Sequence, residues 1–435
     1  MTIDDYKSLI LLRQQEIPTD DIPRTVELPL NSNKIVTVTG VRRCGKSTLM
    51  NLAINELLAS GVKREQILWI GFDDERLVSL KSEQLNDIIT AYMELYPSIP
   101  IKEAYIFFDE IQLVDGWEYF VIRLFKSYCK NIFISGSNSK MLSSQLNTVL
   151  RGWPIEQPVT PLSFKEYCVF KKIDTTSFLE QDLAVIQNAF NEYCFEGGFP
   201  EAVLADTKTA KTEILQRYFN LMLFRDMMEH FEIKSSTEIV KYFMKRIMLN
   251  LSKPTAINNI YNDVKSQGRT ISKDTLYQWA EYACDIFLFD KVRKYSTSII
   301  KSNNSLPKYY IVDNGLRNAI IMPQSDDRGK LFENAVYHHL KRNLNPGEII
   351  TYYKSTTAEC DFVIQTDTQA SRIIQVTWTM KDSETTRRRE IQGLMEAAKT
   401  TGCSNLLIVT TDEEGTLEEN GTIIQVVKAS KWMLH

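Results

Sequence analysis

An α/β fold with a parallel sheet covered by helices, followed by further domains, is predicted for this 435-residue chain by three observations. Short β-branched and aromatic runs alternate with longer amphipathic stretches through the first third, the pattern of strands joined by helices. Those runs are near-continuously apolar rather than alternating, as strands are when both faces of their sheet are buried. A chain of this length exceeds what one compact core serves, so two to four domains are expected.

Taken in order, the candidate strands are KIVTVTG (34–40), QILWIGF (66–72), AYIFFDE (104–110), NIFISGS (131–137) and roughly PIEQPVT (154–160). Residues 47–60 predict a helix with Leu49, Ala53, Leu57 and Leu58 on one face and Gly61 as its stop. From Phe164 to about Met228 the reading is helical, broken at GGFP, residues 197–200. Three helical segments and then a strand pair are expected between about 235 and 320. A charged hinge, PQSDDRGK at 323–330, precedes a last region in which one helix leads into strands and then a second helix.

Composition narrows the class. Hydrophobic residues make up 43% and charged residues 24%, which excludes wholesale disorder. The net charge of −4 excludes a chain-wide polycation but leaves room for a local basic face. Seven scattered cysteines without a CxxC fit neither a disulfide framework nor a zinc site, so a reducing cytoplasm is expected. The start, MTIDDYKSLILLRQQEIPTDD, has acids on both sides of its short apolar run, unlike a signal peptide. No apolar stretch approaches the ~18 residues of a membrane helix, so no membrane partner is expected.

The clearest chemical signal is Gly40-Val-Arg42-Arg43-Cys44-Gly45-Lys46-Ser47, which matches GxxxxGK[ST] between a predicted strand and a predicted helix. Glycines let such a loop curl until consecutive N–H groups point inward, and the helix N-terminus adds positive potential for a phosphate. Lys46 is placed to reach the outer phosphates, Ser47 to ligate Mg²⁺, and Gly40 to Thr48 form the nucleotide-binding set. Cys44 reads as a tolerated small residue, with a helix-lowered thiol pKa as the lesser alternative.

Tyr105-Ile-Phe-Phe-Asp109-Glu110 supplies the complementary half. Four apolar residues make a buried strand, Asp109 at its carboxyl end is a candidate Mg²⁺ holder, and Glu110 a candidate base that polarises the attacking water. Ser135-Gly-Ser137-Asn138 ends the fourth strand, where Ser137 and Asn138 are candidate γ-phosphate sensors. Arg151 in VLRGW is a candidate guanidinium for transition-state charge, in cis or from a neighbouring subunit. A plain βα turn and a surface arginine are the respective alternatives.

GVRRCGKSTLM, FDDERL, IFFDEIQ with its following Trp, ISGSNS, LRGWPIEQPVTPLSFKEY and EGGFPE resemble, in that order, a group of bacterial and archaeal AAA+ ATPases whose C-terminal half is a domain of unknown function. The resemblance continues through RDMMEHFEI, KYYIVDNGLRNA, GKLFENAVYHHL, AECDFVI and TRRREIQGL, nearly the whole chain. It implies a P-loop NTPase of the ASCE type, with one strand between the loop strand and the acid-pair strand. It also implies ATP and Mg²⁺ as ligands, a winged-helix module, and a restriction-endonuclease-like tail. Trp153 stands where such relatives are expected to carry arginine. The domains are accordingly expected as 1–162, the ATPase core; 163–233, a helical lid or linker; 234–322, winged-helix-like; and 323–435, endonuclease-like.

Residues 234–294 carry eleven Lys/Arg against six Asp/Glu, a basic excess that makes DNA the candidate partner of this segment. In ISKDTLYQWAEYA (271–283), Ser272 is the expected N-cap and Leu276, Trp279, Ala280 and Ala283 the inner face. Lys273, Tyr277 and Gln278 then point outward, as phosphate and base contacts would. Packing between domains is the alternative.

In the tail, Glu333 lies on a helix, Glu359 and Asp361 at a strand start, and Gln375-Val-Thr377 on the next strand. Restriction-like nucleases place a carboxylate and a lysine at the last two positions, so Gln375 and Thr377 mark a degenerate site, and nuclease activity is not expected. His338 and His339 are adjacent on a helix, which disfavours joint metal ligation. The function expected is an ATP-hydrolysing switch or motor acting on DNA or a protein partner, with self-assembly into an oligomer also in view. A nucleotide-gated binding protein is the alternative, and an ATP-dependent nuclease the weaker third.

Overall fold

A computed structural model describes residues 1–137, 154–177, 179–324, 327–381 and 383–435. Asn138, Arg151 and Trp153 lie outside the described residues. The chain divides into two compact units: residues 1–160 with 285–287, and residues 161–284 with 288–435.

The first unit is built on five parallel strands: β1 (Ile35–Thr39), β2 (Ile67–Gly71), β3 (Tyr105–Asp109), β4 (Ile132–Gly136) and β5 (Pro154–Pro158), in the order β2-β3-β4-β1-β5. One strand, β4, therefore separates the loop strand from the acid-pair strand. All five residues of β1 and of β4 are buried, which is why these runs carry no alternation. Phe107 of β3 stacks on Phe133 and on Trp69, centroids 4.7 and 5.9 Å away, filling one face of the sheet with aromatic rings. The opposite side packs Ile106, Phe108, Ile132 and Ile134 against helices Leu85–Leu95 and Trp117–Ser127 and against Tyr6, Leu9 and Ile10 of an N-terminal helix, Ile3–Glu16. That N-terminal helix opens with a capping box between Thr2 and Asp5.

The helix after β1 spans Lys46–Ala59 and buries Leu49, Met50, Ala53, Ile54 and Leu57. Leu58, expected on that face, is only half-buried, because each residue turns a further 100° from its predecessor and Met50 and Ile54 take the second row instead. Since the strands are parallel, the loops that leave β1, β3 and β4 emerge at the same edge of the sheet.

The second unit begins with helices Phe164–Phe170, Glu180–Glu196, Pro200–Leu204 and Lys208–Leu221, the last running into a π-helical stretch, Met222–Glu229. Helices Thr237–Leu249, Ile257–Ser266 and Lys273–Asp285 follow. The last of these is capped at Ser272, whose Oγ accepts from Thr275 N–H at 3.0 Å. Leu276, Trp279, Ala280 and Ala283 are buried, while Lys273, Tyr277 and Gln278 are exposed.

The expected strand pair is β6 (Phe289–Lys294) with β7 (Lys308–Ile311), but it is not a free-standing wing. Arg293 and Lys294 of β6 pair in parallel with Thr351 and Tyr352 of β8 (Glu348–Lys354), and the pair becomes one edge of a larger sheet. That sheet adds β9 (Glu359–Thr366), β10 (Gln369–Val376), β11 (Leu406–Thr410), β12 (Gly415–Glu419) and β13 (Thr422–Lys428), in the mixed order β12-β13-β11-β10-β9-β8-β6-β7. Helices Arg328–Arg342 and Glu384–Thr401 pack on it.

Candidate functional site

The loop Gly40–Ser47 is set by backbone geometry. Gly40 sits at φ +151°, and a Cβ there would lie 2.0 Å from the Val159 carbonyl oxygen, so only glycine fits the close approach. Gly45, at φ +101°, immediately precedes the helix Lys46–Ala59 and turns its first N–H groups toward the loop. Arg43 also takes a left-handed conformation, φ +70°. Arg24 pins the assembly from outside: its guanidinium donates to the Cys44 carbonyl at 2.9 Å and the Thr160 carbonyl at 3.0 Å. Cys44 donates its thiol to the Val159 carbonyl and is fully buried, which pushes its pKa up. The alternative of a helix-activated thiolate is thereby removed, because desolvation outweighs the nearby Lys46 and Arg24 charges.

Five side chains converge where the loops meet. Lys46 is buried and donates to the Gly40 and Val41 carbonyls at 3.1 and 3.2 Å. Its Nζ lies 3.7 Å from Glu110 Oε1. Ser47 Oγ donates to Asp109 Oδ2 at 2.5 Å, joining motifs 62 residues apart. Asp109 Oδ1 accepts from the Ser135 hydroxyl, and that same Oγ accepts the Glu110 N–H at 3.0 Å. Ser135, two residues before the expected sensor, thus links both acids. The only advance signal for it was its place at the end of an apolar run. Ser137 is buried just beyond β4.

The two acids differ electrostatically. Burial, reinforced by the Glu110 charge, pushes Asp109 above its ordinary pKa despite its two hydroxyl partners. Burial would also raise Glu110, but the Lys46 and Arg42 charges and the Gln112 amide outweigh it and hold it below. Glu110 is therefore favoured in its ionised form. Its backbone is left-handed, φ +53°, which turns the chain sharply as it leaves β3. A ~470 Å³ cleft lined by Ser47, Asp109, Asn51, Trp69, Asp73 and Arg13 opens beside this group.

The tail residues also meet, around a partner the sequence reading missed. Lys308, the first residue of β7, is 1% exposed; its Nζ lies 3.0 Å from Glu359 Oε1, 3.3 Å from Glu333 Oε1 and 3.6 Å from Asp361 Oδ1. Gln375 donates from Nε2 to Asp361 Oδ2 at 2.9 Å and to Glu390 Oε2 at 2.5 Å. Nothing in the local spacing announced Lys308 or Glu390. His338 Nε2 contacts the Ile311 carbonyl, while His339 packs against Trp432, so the two rings have separate surroundings. Among the described residues no helix is long and apolar enough to cross a membrane.

Residues 32–168 match the AAA domain, and residues 187–327 and 328–432 match two domains of unknown function, DUF8612 and DUF4143. The chain is 33% identical over 423 residues to an uncharacterized protein of Methanocaldococcus jannaschii, spanning 95% of this chain and 91% of that one. It is 31% identical over 359 residues to an uncharacterized protein of Haemophilus influenzae, spanning 82% and 85% of the two. Among solved structures it is similar to C. elegans PCH-2, with 15% identity and a TM-score of 0.29 over 46% of this chain and 58% of that one.

Proposed function

The chain belongs to the AAA+ group of P-loop ATPases with a C-terminal domain of unknown function, and from that premise we propose that it binds ATP with Mg²⁺ and hydrolyses it to work as a switch or motor on DNA or a protein partner. The observation that carries this reading is the Ser47–Asp109 hydrogen bond, which brings a hydroxyl and a carboxylate together beside a buried lysine. Two hard oxygens so placed suit Mg²⁺, and Ser47 and Asp109 are the residues that would hold it. When bound, Mg²⁺ neutralises charge on the phosphate oxygens.

The remaining work falls to the chain's own groups. The loop N–H groups and Lys46 bind and orient the phosphates. An incoming phosphate competes for the Lys46 ammonium, releasing Glu110 from its 3.7 Å pairing so that it can accept a proton from water. Ser135 holds both acids in register through its hydroxyl. Ser137, Asn138 and Arg151 are proposed as phosphate-sensing and charge-stabilising groups, Arg151 in cis or from a second copy.

Residues 234–322 are proposed as a winged-helix-like domain that shares its strand pair, β6 and β7, with the larger sheet and whose exposed Lys273, Tyr277 and Gln278 face DNA, and residues 163–233 as a helical lid or linker. Steady-state ATP turnover, measured with and without a DNA titration, tests the whole reading. Turnover that rises with DNA and disappears in Lys46→Ala supports it. ATP binding without turnover would make the protein a nucleotide-gated binder instead.

A further inference from the structure

The carboxylate cluster of the second unit invites comparison with a nuclease metal centre, and its donor set does not fit a metal. A divalent cation of the Mg²⁺ class needs several oxygens with free lone pairs directed at one point. Here most of those oxygens already face an ammonium or amide donor, which, unlike the hydroxyls on Asp109, cannot turn to ligate an ion as well. Glu333 Oε1 accepts from the Tyr310 hydroxyl at 2.6 Å and from Lys308. Asp361 Oδ2 accepts the Val376 N–H at 3.0 Å and the Gln375 amide at 2.9 Å, while its Oδ1 faces Lys308. Glu359 is held at one oxygen by Lys308 and at the other by Lys354, 2.6 Å away. Glu390, the remaining acid, is taken by Gln375 and by Arg389 at 2.6 Å.

Gln375 sharpens the point. An amide at this position offers a carbonyl for a metal or an NH₂ for an acid, and it aims the NH₂ at Asp361 and Glu390. Its carbonyl oxygen instead accepts the Asp361 N–H at 3.3 Å. Among the described residues no three His, Cys, Asp or Glu side chains are arranged to hold a metal ion.

We infer that the Lys308 ammonium is the resident cation of this cluster and takes the place that a divalent metal holds in a nuclease built this way. Lys308 reaches the three carboxylates from β7, the edge strand of the sheet, so its tether differs from the lysine that the nuclease pattern places two residues after Gln375. Its Nζ also lies 5.2 Å from the centre of the Tyr352 ring, a further contact that favours a cation. Burial would lower its pKa, but Glu333, Asp361 and Glu359 outweigh that and push it up, so the charge is permanent across the physiological range. The tail is then a metal-independent fold, locked by an ion cluster, whatever the first unit does with ATP.

The test is Mn²⁺ binding to the full-length chain without nucleotide, read by titration of the free-ion spin-resonance signal. Differences between matched variants cancel any ion held at Ser47 and Asp109. The wild type and Asp361→Asn are expected to bind the same number of Mn²⁺ ions. Lys308→Met, which leaves Glu333 and Asp361 without their cation and Glu359 with Lys354 alone, is expected to bind one more Mn²⁺ per chain and to lose it again in Lys308→Met/Asp361→Asn. Its melting temperature should fall in EDTA and recover in part with Mn²⁺, whereas the wild type melts alike in both after correction with Asp361→Asn. An extra Asp361-dependent Mn²⁺ in the wild type would overturn the inference, and so would a folded Lys308→Met that gains none. The wild-type comparison stands whether or not Lys308→Met folds.

Discussion

The Lys46 ammonium and the Glu110 carboxylate face each other at 3.7 Å, so the lysine of the glycine-rich loop and the second acid of the β3 pair are each other's counter-ion. Both lie in a largely buried environment, where a charge without a partner is costly. Lys46→Ala therefore removes the proposed phosphate ligand and also leaves Glu110 to Arg42 and Gln112 alone. ATP affinity measured by calorimetry should fall strongly in this variant, and an unchanged affinity would remove the loop from the nucleotide site. Asp109→Ala should impair the Mg²⁺-dependent part of binding. Glu110→Gln should keep ATP bound yet slow hydrolysis by roughly 10²–10⁴-fold, the scale of general-base loss. Hydrolysis at the parental rate would mean that another residue polarises the water.

Gly40→Ala should cost ATP affinity without touching any charged group. The added methyl would sit 2.0 Å from the Val159 carbonyl oxygen and force the loop out of its curl. Calorimetry should show weakened binding alongside a lowered melting temperature. Parental values for both would show that the loop tolerates the shift.

Acid should destabilise the second unit through its histidines. Burial pushes His338 down to about 4 and His339 down to about 3, beside Arg342 and, for His338, against the opposing pull of Asp290. Both values lie below the ordinary ~6.5, so the folded state prefers the neutral rings. That stability is present above pH ~6.5 and is lost as pH falls toward 4. Asp313, pushed up to about 6 by burial, has the opposite sign: its contribution is held at low pH and lost as pH rises through about 6. His338→Gln should flatten the acid fall in melting temperature between pH 6.5 and 4, and Asp313→Asn should steepen it. Parallel wild-type and variant curves would assign the acid sensitivity elsewhere.

DNA affinity should depend on the exposed face of the helix Lys273–Asp285 and fall with salt through counter-ion release. Lys273→Ala on that helix, and Arg269→Ala in the loop just before it, should each weaken binding in an anisotropy titration and reduce the salt slope by about one. Absence of binding at low salt, with and without ATP, would return this helix to a packing role.

Residues 326–435 should not cleave DNA in the presence of Mg²⁺ or Mn²⁺. Lys308 fills the cluster's centre, and Thr377 supplies no ammonium for activating water. Incubation of the full-length protein with supercoiled, linear and single-stranded DNA checks this. Cleavage that vanishes in Asp361→Ala would restore the nuclease reading.

Much of the first unit was legible because its determinants are contiguous. Gly40, Gly45, Lys46 and Ser47 act within one turn of loop and one turn of helix, and Asp109 and Glu110 end a run whose burial is written in Tyr105-Ile-Phe-Phe. The amphipathic helix carrying Lys273 and Trp279 was legible for the same reason, since its cap and periodicity are local. Leu58 was misplaced because neighbouring apolar residues, Met50 and Ile54, offered an equally apolar row, and only packing chose between them.

What the sequence alone determined is therefore local chemistry: a GxxxxGK[ST] loop at a helix N-terminus, an acid pair at a strand end, and an amide and a hydroxyl at Gln375 and Thr377. What only the tertiary structure decided is which groups neighbour them. Ser135 reaches Asp109 because β4 lies between β1 and β3, and Lys308 reaches Glu333, Glu359 and Asp361 because β6 and β7 join the edge of the larger sheet. Side-chain periodicity is set by neighbours a few residues away, whereas strand order is set by burial summed over the whole sheet, and that sum leaves no mark at any one position.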